Sequence, residues 1–220
     1  MSLAAVKDVS KTYPLGTQTV TALAGVSMSV EEGEFLAVAG PSGSGKTTLL
    51  NLIGCLDTPT SGEVEIDGER VSTLSAGRRA DLRARKLGFI FQTFNLIPVL
   101  TAWENVEYPL LLTHRRGDGG RVRAALEQVG LGDRARHRPP ELSGGQQQRV
   151  AIARALVTEP ALVLADEPTA NLDSKTGHEI VELMRRLNRE RRTTFVFSTH
   201  DPRIMNVADR VVEIRDGRLS

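Results

Sequence analysis

Cysteine is almost missing from this chain: Cys55 is the single one among 220 residues, so no intrachain disulfide can brace the fold. Set in an apolar stretch, Cys55 reads as a small core residue. An excess of either charge is missing too, with 28 Lys plus Arg against 27 Asp plus Glu. That balance removes the electrostatic case for nucleic acid as a partner. No apolar run approaches the roughly 18 residues of a membrane-spanning helix. The opening Met1-Ser2-Leu3-Ala4-Ala5-Val6-Lys7-Asp8 carries neither the basic nor the long apolar region of a secretion signal. These absences predict a soluble, cytoplasmic chain that reaches a membrane only through a partner. Internal repeats and low-complexity segments are absent as well. An apolar content of 40% supports one real core, with room for an insertion.

What is present centres on Gly40-Pro41-Ser42-Gly43-Ser44-Gly45-Lys46-Thr47-Thr48, between the apolar runs Phe35-Leu36-Ala37-Val38-Ala39 and Leu49-Leu50-Asn51-Leu52-Ile53. The order reads as strand, glycine-rich turn, helix. In that setting backbone N–H groups of the turn and of a helix N-terminus converge on one anion. Gly40, Gly43 and Gly45 permit positive φ and close backbone approach. Lys46 supplies a point charge to the β- and γ-phosphates, and the Thr47 hydroxyl is a ligand for Mg²⁺.

Before this turn, β-rich segments at 6–13, 19–23 and 25–30, separated by turn residues such as Pro14-Leu15-Gly16, predict a small antiparallel sheet that 63–68 continues. After it, 75–86 reads as a charged helix and 87–91 as a buried strand that delivers Gln92 at its carboxyl end, where open α/β sheets bind ligands. Helical periodicity then takes over, with helices at 102–112, 119–130 and 143–159. The basic clusters Arg115-Arg116, 134–138 and 189–192 read as solvated surface. Strand and helix alternate again through strand 161–165, helix 174–191, strand 194–198, helix 202–208 and strand 210–214. The fold class is α/β: a P-loop NTPase, RecA-like core (1–92 and 161–220) with an N-terminal antiparallel β subdomain and an inserted α-helical subdomain (93–160), all in one domain.

Two further motifs carry chemistry. Strand 161–165 ends in Asp166-Glu167-Pro168, placing one carboxylate to hold Mg²⁺ and the next to polarise or deprotonate an attacking water. Leu142-Ser143-Gly144-Gly145-Gln146 opens a helix, with Ser143 as N-cap and Gln146 completing a capping box. One nucleotide needs one phosphate loop, so this second anion-binding turn suggests a site completed by another copy of the chain.

Together with Gln92, Asn171-Leu172-Asp173 and His200, these motifs resemble, in order and over essentially the whole chain, the nucleotide-binding subunits of ATP-binding-cassette transporters. The five residues from Leu142 to Gln146 are very specific to that family. The resemblance implies ATP and Mg²⁺ as cofactors. ATP would be held by Tyr13 against adenine and by Gly40, Pro41, Ser42, Gly43, Ser44, Gly45, Lys46, Thr47 and Thr48 at the phosphates. Mg²⁺ would be held by Thr47, Gln92 and Asp166. Catalysis would fall to Glu167, His200, Gln92 and Lys46, with His200 bonded to the γ-phosphate. Ser143, Gly144, Gly145 and Gln146 would act in trans on the partner's nucleotide, and Asp173 would lie at the interface of an ATP-dependent homodimer.

The run from Phe89 to Pro98 and that from Leu100 to Val106 resemble the lipoprotein-releasing and macrolide-export branch, although Ala170 stands where that branch usually shows Gly. The branch implies export or release powered through an integral-membrane permease with a large extracytoplasmic domain. The chain would then be peripheral on the cytoplasmic face of the inner membrane, without nucleic acid. Phe94, Leu96, Ile97, Val99 and Leu100 would offer the permease an apolar docking groove. A soluble cassette ATPase of translation or repair would carry two cassettes or a long coiled coil. A P-loop kinase would need an acceptor pocket and would have no use for the Leu142–Gln146 element.

Overall fold

The computed structural model describes residues 2–113 and 118–220, so the Arg115-Arg116 cluster lies outside the described residues. The N-terminal sheet departs from the sequence expectation. Its three short segments are two long strands, β1 (Ser2–Leu15) and β2 (Gln18–Glu31), closed by a turn at Gly16-Thr17. The breaks in alternation that read as strand ends are bulges: the register shifts between Val6 and Val9, where Asp8 has φ 48°, and again between Val9 and Lys11. A bulge inserts a residue and flips the pattern without ending the pairing. Pro14 pairs with Thr19 in a stretch where no second neighbour pairs with β1, so its missing N–H leaves no ladder bond unmade. β4 (Ser61–Ile66) and β5 (Glu69–Arg70) complete a four-stranded sheet in the order β2-β1-β4-β5.

The second sheet contains β3 (Phe35–Ala39), β6 (Leu87–Ile90), β7 (Leu162–Asp166), β8 (Thr194–Thr199), β9 (Arg210–Arg215) and β10 (Arg218–Leu219). Its order is β10-β9-β3-β8-β7-β6, parallel except for β10 at the edge. The central runs are apolar at every position because both faces are covered. Phe35, Ala37, Val163, Ala165, Phe195 and Phe197 point into one core, and Leu36, Val38, Leu162, Leu164 and Val196 into the other. Each fully buried Phe contributes about 2–3 kcal/mol of transfer free energy.

Beneath the second face lie α1 (Lys46–Ile53), the antiparallel sheet and Leu82 of α2 (Ala76–Lys86). The first face is covered by α3 (Ala102–Leu112), α4 (Gly119–Gln128), α5 (Gly144–Leu156) and α6 (Ser174–Arg191). The helix read at 119–130 stops at Gln128, with Gly130 left-handed at φ 74°, and the one read to 159 stops at Leu156, with Glu159 at φ 55°. Capping boxes close the N-termini of α3 (Thr101 with Glu104) and α5 (Ser143 with Gln146). The last helix, α7 (Pro202–Val207), begins on Asp201. Cys55 is buried, and the arginines of 134–138 and 189–192 are exposed, as the sequence predicts.

Candidate functional site

β3, β6, β7 and β8 all present their carboxyl ends at one edge of the parallel sheet, and the chemistry-bearing residues leave the sheet there. From β3 the chain enters the phosphate loop. Its path admits no side chain at Gly45, where φ is 107° and a Cβ would meet the Ala22 carbonyl at 2.6 Å. At Gly40 a Cβ would stand 2.2 Å from the Ile214 carbonyl. The loop is thus pressed between β2 and β9. The turn at Asp216-Gly217 closes it further: the Gly217 N–H donates to the Ser44 carbonyl (2.9 Å), and the Ala24 N–H donates to the Gly217 carbonyl (2.8 Å).

Several features of this loop fit a phosphate group. Gly45 caps α1 with no side-chain acceptor, leaving the first N–H groups of the helix to an incoming anion. The Ser44 hydroxyl is buried with no hydrogen-bond partner. Lys46 is buried, its ammonium donating to the carbonyls of Gly40 (2.7 Å) and Pro41 (2.9 Å). The same ammonium stands 3.9 Å from Glu167 Oε1.

Beside the loop, the Thr47 hydroxyl donates to both oxygens of Asp166, at 3.1 and 3.2 Å. A hydroxyl and a carboxylate in contact at the end of a buried strand are a hard-oxygen donor set suited to Mg²⁺. Asp166 is fixed from its other side by the Ser198 hydroxyl (2.5 Å), because β7 and β8 pair in a register that sets Asp166 opposite Ser198. Glu167 turns away into a left-handed conformation (φ 44°), and its carboxylate meets His200 Nδ1 at 2.9 Å. Gln92, Ala170, Thr48, and Val20, Thr21 and Ala22 of β2 complete a cleft of about 430 Å³. A larger hollow of about 620 Å³ between Trp103 and Arg136 contains none of this chemistry.

Not every residue singled out from sequence meets in this cleft. Tyr13 does not line it; its hydroxyl donates to Asp57 (2.8 Å), and the Lys11 ammonium sits 4.8 Å from its ring centroid. Partial burial opposes ionisation of Asp57, yet hydrogen bonds from Lys11 and Tyr13 hold its carboxyl below the usual range. Ser143, Gly144, Gly145 and Gln146 stand outside the cleft, and so does Asp173, which accepts from the N–H groups of Lys175 and Thr176 as the N-cap of α6. Of the proposed groove residues, Val99 is 72% exposed, while Leu96 packs on the core.

Sequence reasoning missed a buried network behind the cleft. Asp201 accepts from the Thr169 hydroxyl (2.5 Å) and from Arg203, whose Nη1 also donates to the Ser174 carbonyl (2.8 Å). It missed Ser198 as well, for which the one available signal was a hydroxyl at the end of the apolar run Thr194-Phe195-Val196-Phe197.

Comparison with known proteins agrees with this geometry. The ABC transporter family model matches residues 23–170. An uncharacterized ABC transporter ATP-binding protein of Thermotoga maritima is 54% identical over 214 residues, 96% of this chain and 91% of that one. The macrolide export ATP-binding/permease protein MacB of Syntrophobacter fumaroxidans is 50% identical over 224 residues, 99% of this chain but 31% of its own length. Among solved structures, the ATP-binding cassette MJ0796 of Methanocaldococcus jannaschii, a dimer in a post-hydrolysis state bound to ADP and Pi, superposes with a TM-score of 0.91. That match is 47% identical and covers 99% of this chain and 96% of the other. A P-loop NTPase fold, a phosphate loop facing two strand-end carboxylates, and relatives of this similarity lead to one assignment: the chain belongs to the ABC transporter family, as an ATP-binding subunit with ATPase activity.

Proposed function

We propose that this subunit binds MgATP between the phosphate loop of one copy and the Ser143–Gln146 turn of a second, and that closure of this dimer drives a membrane permease. The observation that carries the reading is the adjacency of two pairs in one cleft, Thr47 with Asp166 and Glu167 with His200. Residues 93–160 act as the helical subdomain that presents the Ser143 turn.

Within the cleft, Lys46 and the N–H groups of α1 take the phosphates, and the base extends beyond the cleft toward Tyr13. Thr47 and Asp166, with Gln92, hold Mg²⁺. When bound, the ion neutralises charge on the β- and γ-phosphates. Glu167 accepts the proton of the attacking water. His200 holds the Glu167 carboxylate through Nδ1, leaving its 71%-exposed ring to reach the γ-phosphate. The Ser143–Gln146 turn is capped within its own chain yet lies outside that chain's cleft, as a turn that serves a second copy must. Nucleotide that touches both copies only when they are closed shifts the equilibrium toward the dimer by its differential affinity, and hydrolysis reverses the shift.

Similarity to MacB, a macrolide export ATP-binding/permease protein, supports export through a permease. The resemblance of the runs from Phe89 to Pro98 and from Leu100 to Val106 extends the reading to lipoprotein release and to a permease with a large extracytoplasmic domain. None of the described helices is long and apolar enough to cross a membrane, so attachment to the inner membrane's cytoplasmic face would be through that permease. The Phe94–Leu100 segment is its docking surface.

Light scattering of E167Q tests the dimer. With MgATP the variant should run as a dimer, and turnover should fall at least roughly 10²-fold, the lower range for loss of a general base. Adding S143R should leave nucleotide binding but abolish the dimer. A persistent MgATP-dependent dimer of the double variant, or normal turnover by E167Q, overturns the reading. Copurification from native membranes with a permease identifies the partner.

A further inference from the structure

Glu167 stands on a turn that its own residue type does not favour. A left-handed φ at a residue with a side chain persists only where neighbours impose it. Here three elements do so. β8 takes the Glu167 N–H on the Ser198 carbonyl at 2.9 Å. Asp201, at the start of α7, takes the Thr169 hydroxyl at 2.5 Å. α5 reaches over with Gln148, whose Nε2 donates to the Pro168 carbonyl at 2.5 Å.

Gln148 is the costly member of the three. It is fully buried, and its amide oxygen has no partner. A buried acceptor left unmatched is unfavourable, and Leu or Met would fill the same space without it. Turning the amide over would set oxygen against oxygen, so the donor must face Pro168. Pro168 in turn has no N–H, which leaves its carbonyl as the handle by which the residue after Glu167 can be held.

The same helix begins with the Ser143 turn. Gln148 is five residues further on, about 7.5 Å along the axis. At its start α5 packs so closely on α6 that a Cβ on Gly145 would meet Thr176 Cγ2 at 2.4 Å. This packing leaves the turn little room to move independently of the rest of α5, Gln148 included.

We propose that Gln148 is a positioning residue for Glu167, transmitting the position of the Ser143 turn to the Pro168 carbonyl of the same chain. The inference rests on the reading of Glu167 and of the turn given under the proposed function. In the closed dimer the phosphate at Ser143 belongs to the other copy's nucleotide. Each base is thereby adjusted by the occupancy of the opposite site.

The test is steady-state ATPase of Q148M, which keeps the length of the side chain and removes the donor, with E167Q in parallel. Q148M should lower kcat at least about tenfold, within the 10²-fold that a 1 Å misplacement can cost, with KM changed less than about twofold. Its MgATP-dependent dimer should persist. Q148E gives an independent readout, since a neutral carboxyl restores an O–H donor that a carboxylate lacks. Its kcat relative to the unaltered chain should rise as pH falls from about 8 to about 6. Unchanged kcat in Q148M, a change in KM alone, or a flat Q148E ratio overturns the inference. If Q148M fails to melt cooperatively, the Q148E ratio decides alone. Slow E167Q with fast Q148M removes this inference and leaves the base in place; fast E167Q removes both.

Discussion

Asp166 and Glu167 are neighbours in sequence with different surroundings. Asp166 is held between two hydroxyls, from Thr47 and Ser198, and Glu167 lies between the His200 ring and the Lys46 ammonium. The first environment suits a metal ion; the second fixes a carboxylate beside the phosphate loop. D166N should therefore weaken MgATP binding at least about tenfold, as for loss of a charged metal partner, while changing Mg²⁺-free ATP binding little; titration calorimetry with and without chelator separates the two. At the other extreme of reactivity is Cys55, whose thiol burial pushes up to about 11. It should stay unalkylated by iodoacetamide at pH 8 in the folded chain and react once urea exposes it, as mass spectrometry would record. The phosphate loop and the carboxylate pair were legible because their chemistry demands those residue types in one short stretch. Ser198 was not, since its role exists only once β7 and β8 are in register.

Elements were legible where a local signal ends them. The starts of α2, α3, α5 and α6 coincide with side-chain caps, and Ser, Thr and Asp at such positions are visible in a sequence. The long hairpin was not, because a bulge looks like a strand end until the partner strand is known. Close approach between elements was equally hidden. At Gly88 of β6 a Cβ would meet the Ala155 carbonyl of α5 at 2.4 Å, so the strand and the helix touch through backbone. G88A should destabilise the fold by about 1–3 kcal/mol, the range for overpacking, with a lower Tm by calorimetry. It should also raise the KM for ATP, since β6 delivers Gln92 to the cleft.

On the scale of the whole molecule, the parallel sheet divides two apolar cores, and ionic contacts tie its periphery. Burial opposes the charge on Asp201, but hydrogen bonds from Arg203 and Thr169 outweigh it and hold its carboxyl below the ordinary range. Asp209 is held low by hydrogen bonds from Arg185, against a smaller effect of burial. A depressed folded-state pKa stabilises above the unfolded value, about 3.9 for Asp, and that stabilisation is lost as pH falls from there through the folded value. Urea midpoints should therefore drop below about pH 4. D201N should be less stable at neutral pH and should show a shallower drop, a difference that fails to appear if Asp201 carries no linkage.

The turn at Asp216-Gly217 is synthesised long after the phosphate loop it braces. Until Ile214 and Gly217 have emerged from the ribosome, Ser44 lacks the N–H that its carbonyl accepts, and the loop has no wall at Gly40. Nucleotide therefore meets a fully walled loop only once residues up to Gly217 have left the ribosome. Products truncated before Ile214 would lack this wall and so gain less stability from bound nucleotide than chains that carry it.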